Sequence, residues 1–286
     1  MKIFKYFFEY IFISILLFIF KLIGYENASN LGEKIGKLLG PYFRNKDKII
    51  NNLKQSNIGS NDSEREQIIK KMWGNYGRIL SEYPYLKKFK KNNLNKYITI
   101  EGLEHLKEIK KNKKKVVFIS GHFNNFELMA MQIENSGINV AAIYRPLNNF
   151  FLNNTMEKIR INDICKKQIK KGKAGTRELI KLFNEGYSVA LMIDQRVSEG
   201  IPVKFFNKTA LTTTIPAQLV KKYDCEVVPV YIERFNKNYF KMNFEKPLIF
   251  RKDSSLDDIT LKLNEKLELM ILKNPDQWIW SHDRWK

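Results

Sequence analysis

Cysteine is nearly absent. Only Cys165 and Cys225 occur, with no CxxC spacing, which excludes a disulfide scaffold and a cysteine-based zinc site and fits a reducing compartment. Histidine is as scarce. His105, His122 and His282 are too scattered for a His-rich metal site, so no metal is expected. No internal repeat is visible, and the low-complexity texture is Lys/Asn bias rather than a linker. Acidic residues are in the minority: 30 Asp+Glu stand against 50 Lys+Arg, a formal net charge of +20 over 286 residues. That excess points to a polyanionic partner, whether nucleic acid, an anionic membrane face, phosphorylated lipid or an acidic protein. The crowding of Lys, Asn and Ile is also what an AT-rich genome produces. With 44% hydrophobic and 28% charged residues, a packed core is available and a wholly disordered chain is excluded.

One long apolar run is present. Residues Tyr10 to Phe20 read YIFISILLFIF, with Ser14 the only polar member. A bilayer crossing needs about 20 apolar residues, so the strict run is short. Letting Glu9 and Lys21 reach the head groups extends it to Phe7–Ile23, which spans marginally. A signal peptide has a similar apolar length, but no small-x-small cleavage site follows. A buried core helix is the third reading. The favoured one is an uncleaved anchor or a deeply embedded interfacial helix. Lys34, Lys37, Arg44, Lys46 and Lys48 follow it, which by the positive-inside tendency keeps the body cytoplasmic.

Beyond the run, the pattern predicts helices over Asn27–Leu53 and Ser63–Leu80, then a basic link over Lys87–Lys96. Strands are expected at Tyr97–Ile100, Val116–Ser120, Val140–Tyr144, Ser188–Ile193 and Val227–Ile232, with Tyr239–Phe244 alternating like an edge strand. Helices are expected after Gly121 through Glu134, around Phe151–Asn162, and at Arg177–Asn184, Ile215–Tyr223 and Leu256–Leu272. Lys107–Lys115 reads as a solvated basic run. Strands alternating with helices predict an α/β fold, a mostly parallel central sheet flanked by helices, with an N-terminal membrane-associated helical region. The expected division is 1–24 as anchor helix, 25–95 as helical extension and 96–286 as α/β body.

The most informative segment is Val116 to Ala130, VVFISGHFNNFELMA. A buried strand ends at Ser120, Gly121 permits a tight turn, and His122 and Glu127 follow. Parallel sheets place ligands at the carboxyl ends of their strands. On one continuous helix, five residues rotate by roughly 500°, which leaves the two side chains about 140° apart. With His122 in the turn and Glu127 in the first helical turns, they can meet. The carboxylate would then fix the imidazole tautomer, leaving the other ring nitrogen to take a proton from a hydroxyl. No serine or cysteine nucleophile stands beside the histidine, so the hydroxyl could belong to a substrate. A structural histidine and a helix-dipole glutamate are the bland alternatives.

GHFNNFEL resembles the H-x4-D/E block of glycerolipid-type acyltransferases. More narrowly, it resembles the late acyltransferases of lipid A biosynthesis, the lauroyl/myristoyl transferase family. MWGNYGRILSEY (72–83) is similar to that family's upstream helix. Tyr144-Arg145-Pro146 with Asn148-Asn149 is similar to its YRP block, and Arg160 sits where it has a downstream arginine. Asp194-Gln195, Gly200 to Phe206 and Thr212 to Thr214 resemble its D-Q…F-F-G…T-T block, and Pro275 to Trp285 its P-E-Q-W-x-W-x-H-x-R-W. Asn207 stands where glycine is usual, and Asp276 where glutamate is.

The resemblance implies transfer of a fatty acyl group from acyl carrier protein, or acyl-CoA, to a hydroxyl of a phosphorylated glycolipid acceptor, a lipid A precursor. It implies His122 as base and Glu127 as its orienting partner. Arg145, Arg160, Asp194 and Gln195 become the substrate-binding candidates, and no cofactor is required. Each arginine alone reads as a surface charge, Asp194 as a turn cap, Trp278, Trp280 and Trp285 as packing, and His282 as structural. Inner-membrane placement follows, without a nucleic-acid partner. The alternatives are an acyltransferase for another glycolipid or a lysophospholipid, a thioesterase, and a non-enzymatic basic membrane-associated protein.

Overall fold

The computed structural model of the protein describes residues 2–286; Met1 lies outside the described residues. The chain opens with helix α1 (Lys2–Leu22), then α2 (Tyr25–Leu39), α3 (Lys46–Gln55), α4 (Asp62–Glu82) and the short α5 (Leu86–Lys90). The body follows as β1 (Ile98–Glu101), α6 (Leu103–Lys111), β2 (Val117–Ser120), α7 (Glu127–Asn135), β3 (Val140–Tyr144), α8 (Phe150–Ile159), β4 (Lys167–Lys170) and α9 (Lys173–Asn184). It ends with β5 (Ser188–Met192), a hairpin of β6 (Ile201–Phe205) and β7 (Lys208–Thr212), α10 (Ile215–Tyr223), β8 (Val227–Phe235), β9 (Tyr239–Phe244) and α11 (Leu256–Lys273).

Seven strands form one sheet in the order β1-β9-β8-β2-β5-β3-β4. Every neighbouring pair is parallel except β8–β9, so the α/β, mostly parallel expectation holds. Tyr239–Phe244 is not an edge strand. It lies between β1 and β8, and its alternation comes from having one face on the core and one half-exposed. The edges are β1 and β4. Only Ile169 of β4 is buried, which left too little apolar signal to mark Lys167–Lys170 as a strand.

The central strands show why apolar runs were informative. Successive side chains of a strand point to opposite faces. Val117 and Ile119 of β2, with Val189 and Leu191 of β5, join one buried cluster with residues of α3, α4, α9, α10 and α11. Phe118 and Ala190 join the other, with residues of α1, α2, α5, α6, α7 and α8. Residues 25–95 contribute to both clusters and so pack into the same body.

The single helix expected over Asn27–Leu53 is two. Gly40–Tyr42 forms a 3-10 turn, and Pro41 has no amide to continue the α-helical ladder. Asn45 then caps α3 by accepting from the Asp47 amide at 2.7 Å. The β6–β7 hairpin turns on Phe206 and Asn207, with φ of 50° and 59°. That left-handed geometry suits the two-residue turn, and asparagine adopts it more readily than most residues with a side chain.

Helices α2 and α4 meet backbone to backbone. A Cβ on Gly77 would lie 1.9 Å from the Gly32 carbonyl oxygen, and one on Gly36 would lie 2.2 Å from the Trp73 carbonyl oxygen. Gly77→Ala therefore requires the helices to separate, an overpacking defect that costs about 1–3 kcal/mol. Chemical denaturation is expected to show that loss, whereas an unchanged midpoint would contradict this packing.

Candidate active site

His122 sits in the turn between β2 and α7, and Glu127 is the first residue of α7, as expected. The ring's partner is different. His122 Nδ1 lies 2.8 Å from Asp194 Oδ1, and the His122 backbone N–H donates to Asp194 Oδ2 at 2.8 Å. The expectation that Glu127 orients the imidazole is thus corrected: that contact belongs to Asp194, just beyond β5. Strand pairing brings them together, because β2 and β5 run side by side with Ser120 opposite Met192. Gly121 is needed for space rather than for a left-handed backbone. A Cβ there would lie 2.9 Å from the Phe123 ring and 3.3 Å from Asp194 Oδ2.

Asp194 is buried, and its charge is met by a third donor, the Trp278 indole N–H at 2.8 Å from Oδ2. Burial alone would raise its pKa, but the His122 charge and hydrogen bonds and the Trp278 donor bring it below 3.8. Burial likewise depresses the imidazole. The Asp194 charge and hydrogen bond outweigh it, and the His122 pKa rises above 6.5. With Nδ1 held by the carboxylate, Nε2 is left to exchange a proton with a hydroxyl.

Glu127 serves a second buried group. Its Oε1 accepts from Arg160 Nε at 3.0 Å and from an Arg160 terminal nitrogen at 2.8 Å, and the Tyr83 hydroxyl donates to the same oxygen. The guanidinium also stands 5.4 Å from the Tyr144 ring centre. Its Nη1 is buried and has no protein partner among the described residues. His122, Glu127, Arg145, Arg160 and Gln195 line one open cleft of about 1160 Å³, into which the exposed Arg145 brings a positive charge. Asp194 backs the imidazole from beneath.

Polar staples hold the turn that carries His122. The Asn124 side chain donates to the Ile232 carbonyl at 3.0 Å and to Gln277 Oε1 at 2.6 Å. Asn125 donates to Glu82 at 3.0 Å, and Glu82 is itself clasped by Arg234 at 2.7 and 3.0 Å and by Ser29 at 2.7 Å. Trp278 and Trp280 are buried, which bears out packing for both, but sequence reasoning missed the Trp278–Asp194 bond. The Pro275–Trp285 motif held that signal without saying which group each residue faces. Arg284, fully buried, donates to Thr212 Oγ1 at 2.7 Å, and burial lowers its pKa to about 10.

The fold is an α/β sheet with an imidazole–carboxylate pair at its strand ends, opening on a cleft large enough for a lipid chain. The chain belongs to the bacterial lipid A biosynthesis acyltransferase family, whose description matches residues 1–286. It is 23% identical to the lipid A biosynthesis palmitoleoyltransferase of Escherichia coli K12 over 90% of this chain and 84% of that protein. It is 24% identical to the lauroyltransferase of the same organism, covering 92% and 86%. With that organism's myristoyltransferase it shares 21% identity, covering 77% and 68%. The solved 1-acyl-sn-glycerophosphate acyltransferase PlsC of Thermotoga maritima is a loose likeness, with TM-score 0.43 and 12% identity over 90% of this chain and all of that one.

The electrostatic assignment is directly measurable. Asp194→Asn removes the charge that favours the imidazolium, so the His122 midpoint in an NMR titration is expected to move to lower pH. A midpoint at or above that of the wild type would show that Asp194 does not control the ring.

Proposed function

We propose that this protein transfers a fatty acyl chain from acyl carrier protein, or acyl-CoA, to a hydroxyl of a lipid A precursor at the cytoplasmic face of the bacterial inner membrane. The observation that carries the reading is the His122–Asp194 pair facing a cleft with two chemistries. Its floor is apolar: Met129 and Ala130 from α7, Ala142 and Ile143 from β3, and Leu191 and Met192 from β5. Its rim is cationic, with Arg44, Arg145, Lys171 and Lys173. An acyl chain fits the first, and the phosphates of a glycolipid or of a carrier's prosthetic arm fit the second.

In this mechanism Nε2 of His122 takes the proton of the acceptor hydroxyl as its oxygen attacks the thioester carbonyl. Asp194 stabilises the imidazolium that forms. Negative charge builds on the carbonyl oxygen, and Arg160 is the donor assigned to it, through the Nη1 that protein atoms leave unpaired. The tetrahedral intermediate then collapses, the carbon–sulfur bond breaks, and His122 returns its proton to the departing thiolate. Glu127 keeps its place in the site in a changed role: with Tyr83 it holds the guanidinium and adds negative charge near the ring. Gln195 and Arg145, on loops after β5 and β3, are assigned to the substrate.

Incubation of the membrane-bound protein with labelled acyl carrier protein, with and without a lipid A precursor, tests the reaction. Ester product is expected only with acceptor present, and free fatty acid regardless of acceptor would identify a thioesterase. A lysophospholipid or another glycolipid supplied in parallel separates the acceptor classes. His122→Ala is expected to lower transfer by about 10²–10⁴ while leaving membrane association intact. Near-normal transfer by that variant would reject the mechanism. Because only the neutral imidazole accepts a proton, wild-type activity should fall as pH drops through the raised His122 pKa, above 6.5. In Asp194→Asn the acid limb should sit at lower pH, with a reduced plateau.

A further inference from the structure

Helix α1 is long and apolar enough to cross a bilayer, with mean hydropathy 2.0 over its best 18 residues. Its packing is not that of a helix surrounded by lipid. Near its start, the Asn149 side chain donates to the Tyr6 carbonyl at 2.9 Å and to Glu9 at 3.1 Å. The Phe7 and Tyr10 rings stand 5.6 and 5.9 Å from Phe151 of α8. Near its end, Phe20 is 1% exposed, and the Tyr85 hydroxyl donates to the Phe20 carbonyl at 2.6 Å. Between these points, Leu16 and Leu17 lean on the buried cluster below. Contact with the body therefore runs from Tyr6 to Phe20, about 21 Å at 1.5 Å per residue.

The opposite side is exposed and uniform. At about 100° per residue, Phe4, Phe8, Phe12, Ile15, Phe18 and Leu22 fall on one arc, each more than half exposed, with no charged residue among them. Lys2, Lys5 and Lys21 stand at the two ends. A crossing would carry α8 and residues 83–85 into the hydrocarbon with the helix. Asn149, Glu9 and, beside Tyr83, the Glu127–Arg160 pair would follow. Polar groups at membrane depth are expensive, and here the helix has a low-cost alternative.

We propose that α1 lies in the plane of one leaflet of an anionic membrane. Its phenylalanine-rich arc is inserted among the acyl chains, its terminal lysines meet lipid phosphates, and both of its ends stay on the side of the body. Leu147 and Asn148, immediately before the Asn149 that holds α1, line the catalytic cleft. The helix thus seats the cleft mouth at the bilayer surface. That consequence rests on the proposed acyl-transfer reading, whereas the disposition of α1 does not.

The test is topological and uses the full chain in sealed membrane vesicles of both orientations, probed with a membrane-impermeant maleimide. Lys2→Cys reports the start of α1, and Lys208→Cys, on the exposed β6–β7 hairpin, reports the body. The native Cys165 and Cys225 are buried, and the unsubstituted protein sets their background. The expected result is labelling of both new cysteines from the same side. Labelling of Lys2→Cys from the opposite side, or its protection from both, overturns the proposal. Neither variant touches the cleft, so the labelling result stands whether or not acyl transfer is detected.

Discussion

One buried carboxylate organises the site. Asp194 is 1% exposed and meets its hydrogen-bonding capacity with the His122 amide, the His122 ring and the Trp278 indole. A buried ion is tolerated only when paired and hydrogen-bonded, so these three donors are a condition of its being charged. They come from the turn after β2 and from the C-terminal tail, while the carboxylate follows β5. The imidazole therefore has one orientation because three distant parts of the chain must converge to satisfy one charge.

The same logic explains how a chain with so many surplus cations keeps a polar interior. Glu82 is fully buried and is matched by Arg234, Ser29 and Asn125. Asn125 is adjacent to Asn124, which Gln277 holds, and Gln277 is adjacent to Trp278. The helical extension, the His122 turn and the tail thus form one connected network. Replacing such a network with apolar residues can leave stability unchanged, so its contribution here is read as geometry. It aims a loop that would otherwise move independently of the sheet.

Much of the fold was legible because the sheet is buried on both faces. Continuous apolar runs such as Val116–Ser120 have few alternatives between helices. The elements that escaped include β4, with one buried residue, the small β6–β7 hairpin, whose turn uses Asn207 instead of glycine, and α6, whose lysines made Lys107–Lys115 read as a solvated run although Leu106 and Ile109 are buried. The site was legible in its parts and misread in its pairing. Spacing along the chain placed Glu127 near His122, correctly, but partnership depends on where β5 ends, and no local pattern encodes which strand lies beside β2. The Asp194-Gln195 block was visible as a substrate-binding candidate, whereas Asp194 is buried against the His122 ring, and Trp278 read as packing because an indole in an apolar motif shows no sign of its donor.

The pairing matters for the proposed chemistry beyond the choice of residue. A base is most effective when its pKa lies near the working pH, since a higher value strengthens proton capture but leaves fewer rings unprotonated. Desolvation alone would leave His122 too weak a base, and an ion pair in water would shift it little. Here the two act against each other, burial pulling the pKa down and Asp194 pulling it up, with a net rise. Glu127 contributes to the same balance from a distance, while Arg160 opposes it. Glu127 and Arg160 thus act on the ring in opposite directions, and Asp194 is the strongest of the groups that raise it. The guanidinium can then be held at the cleft without discharging the base beside it.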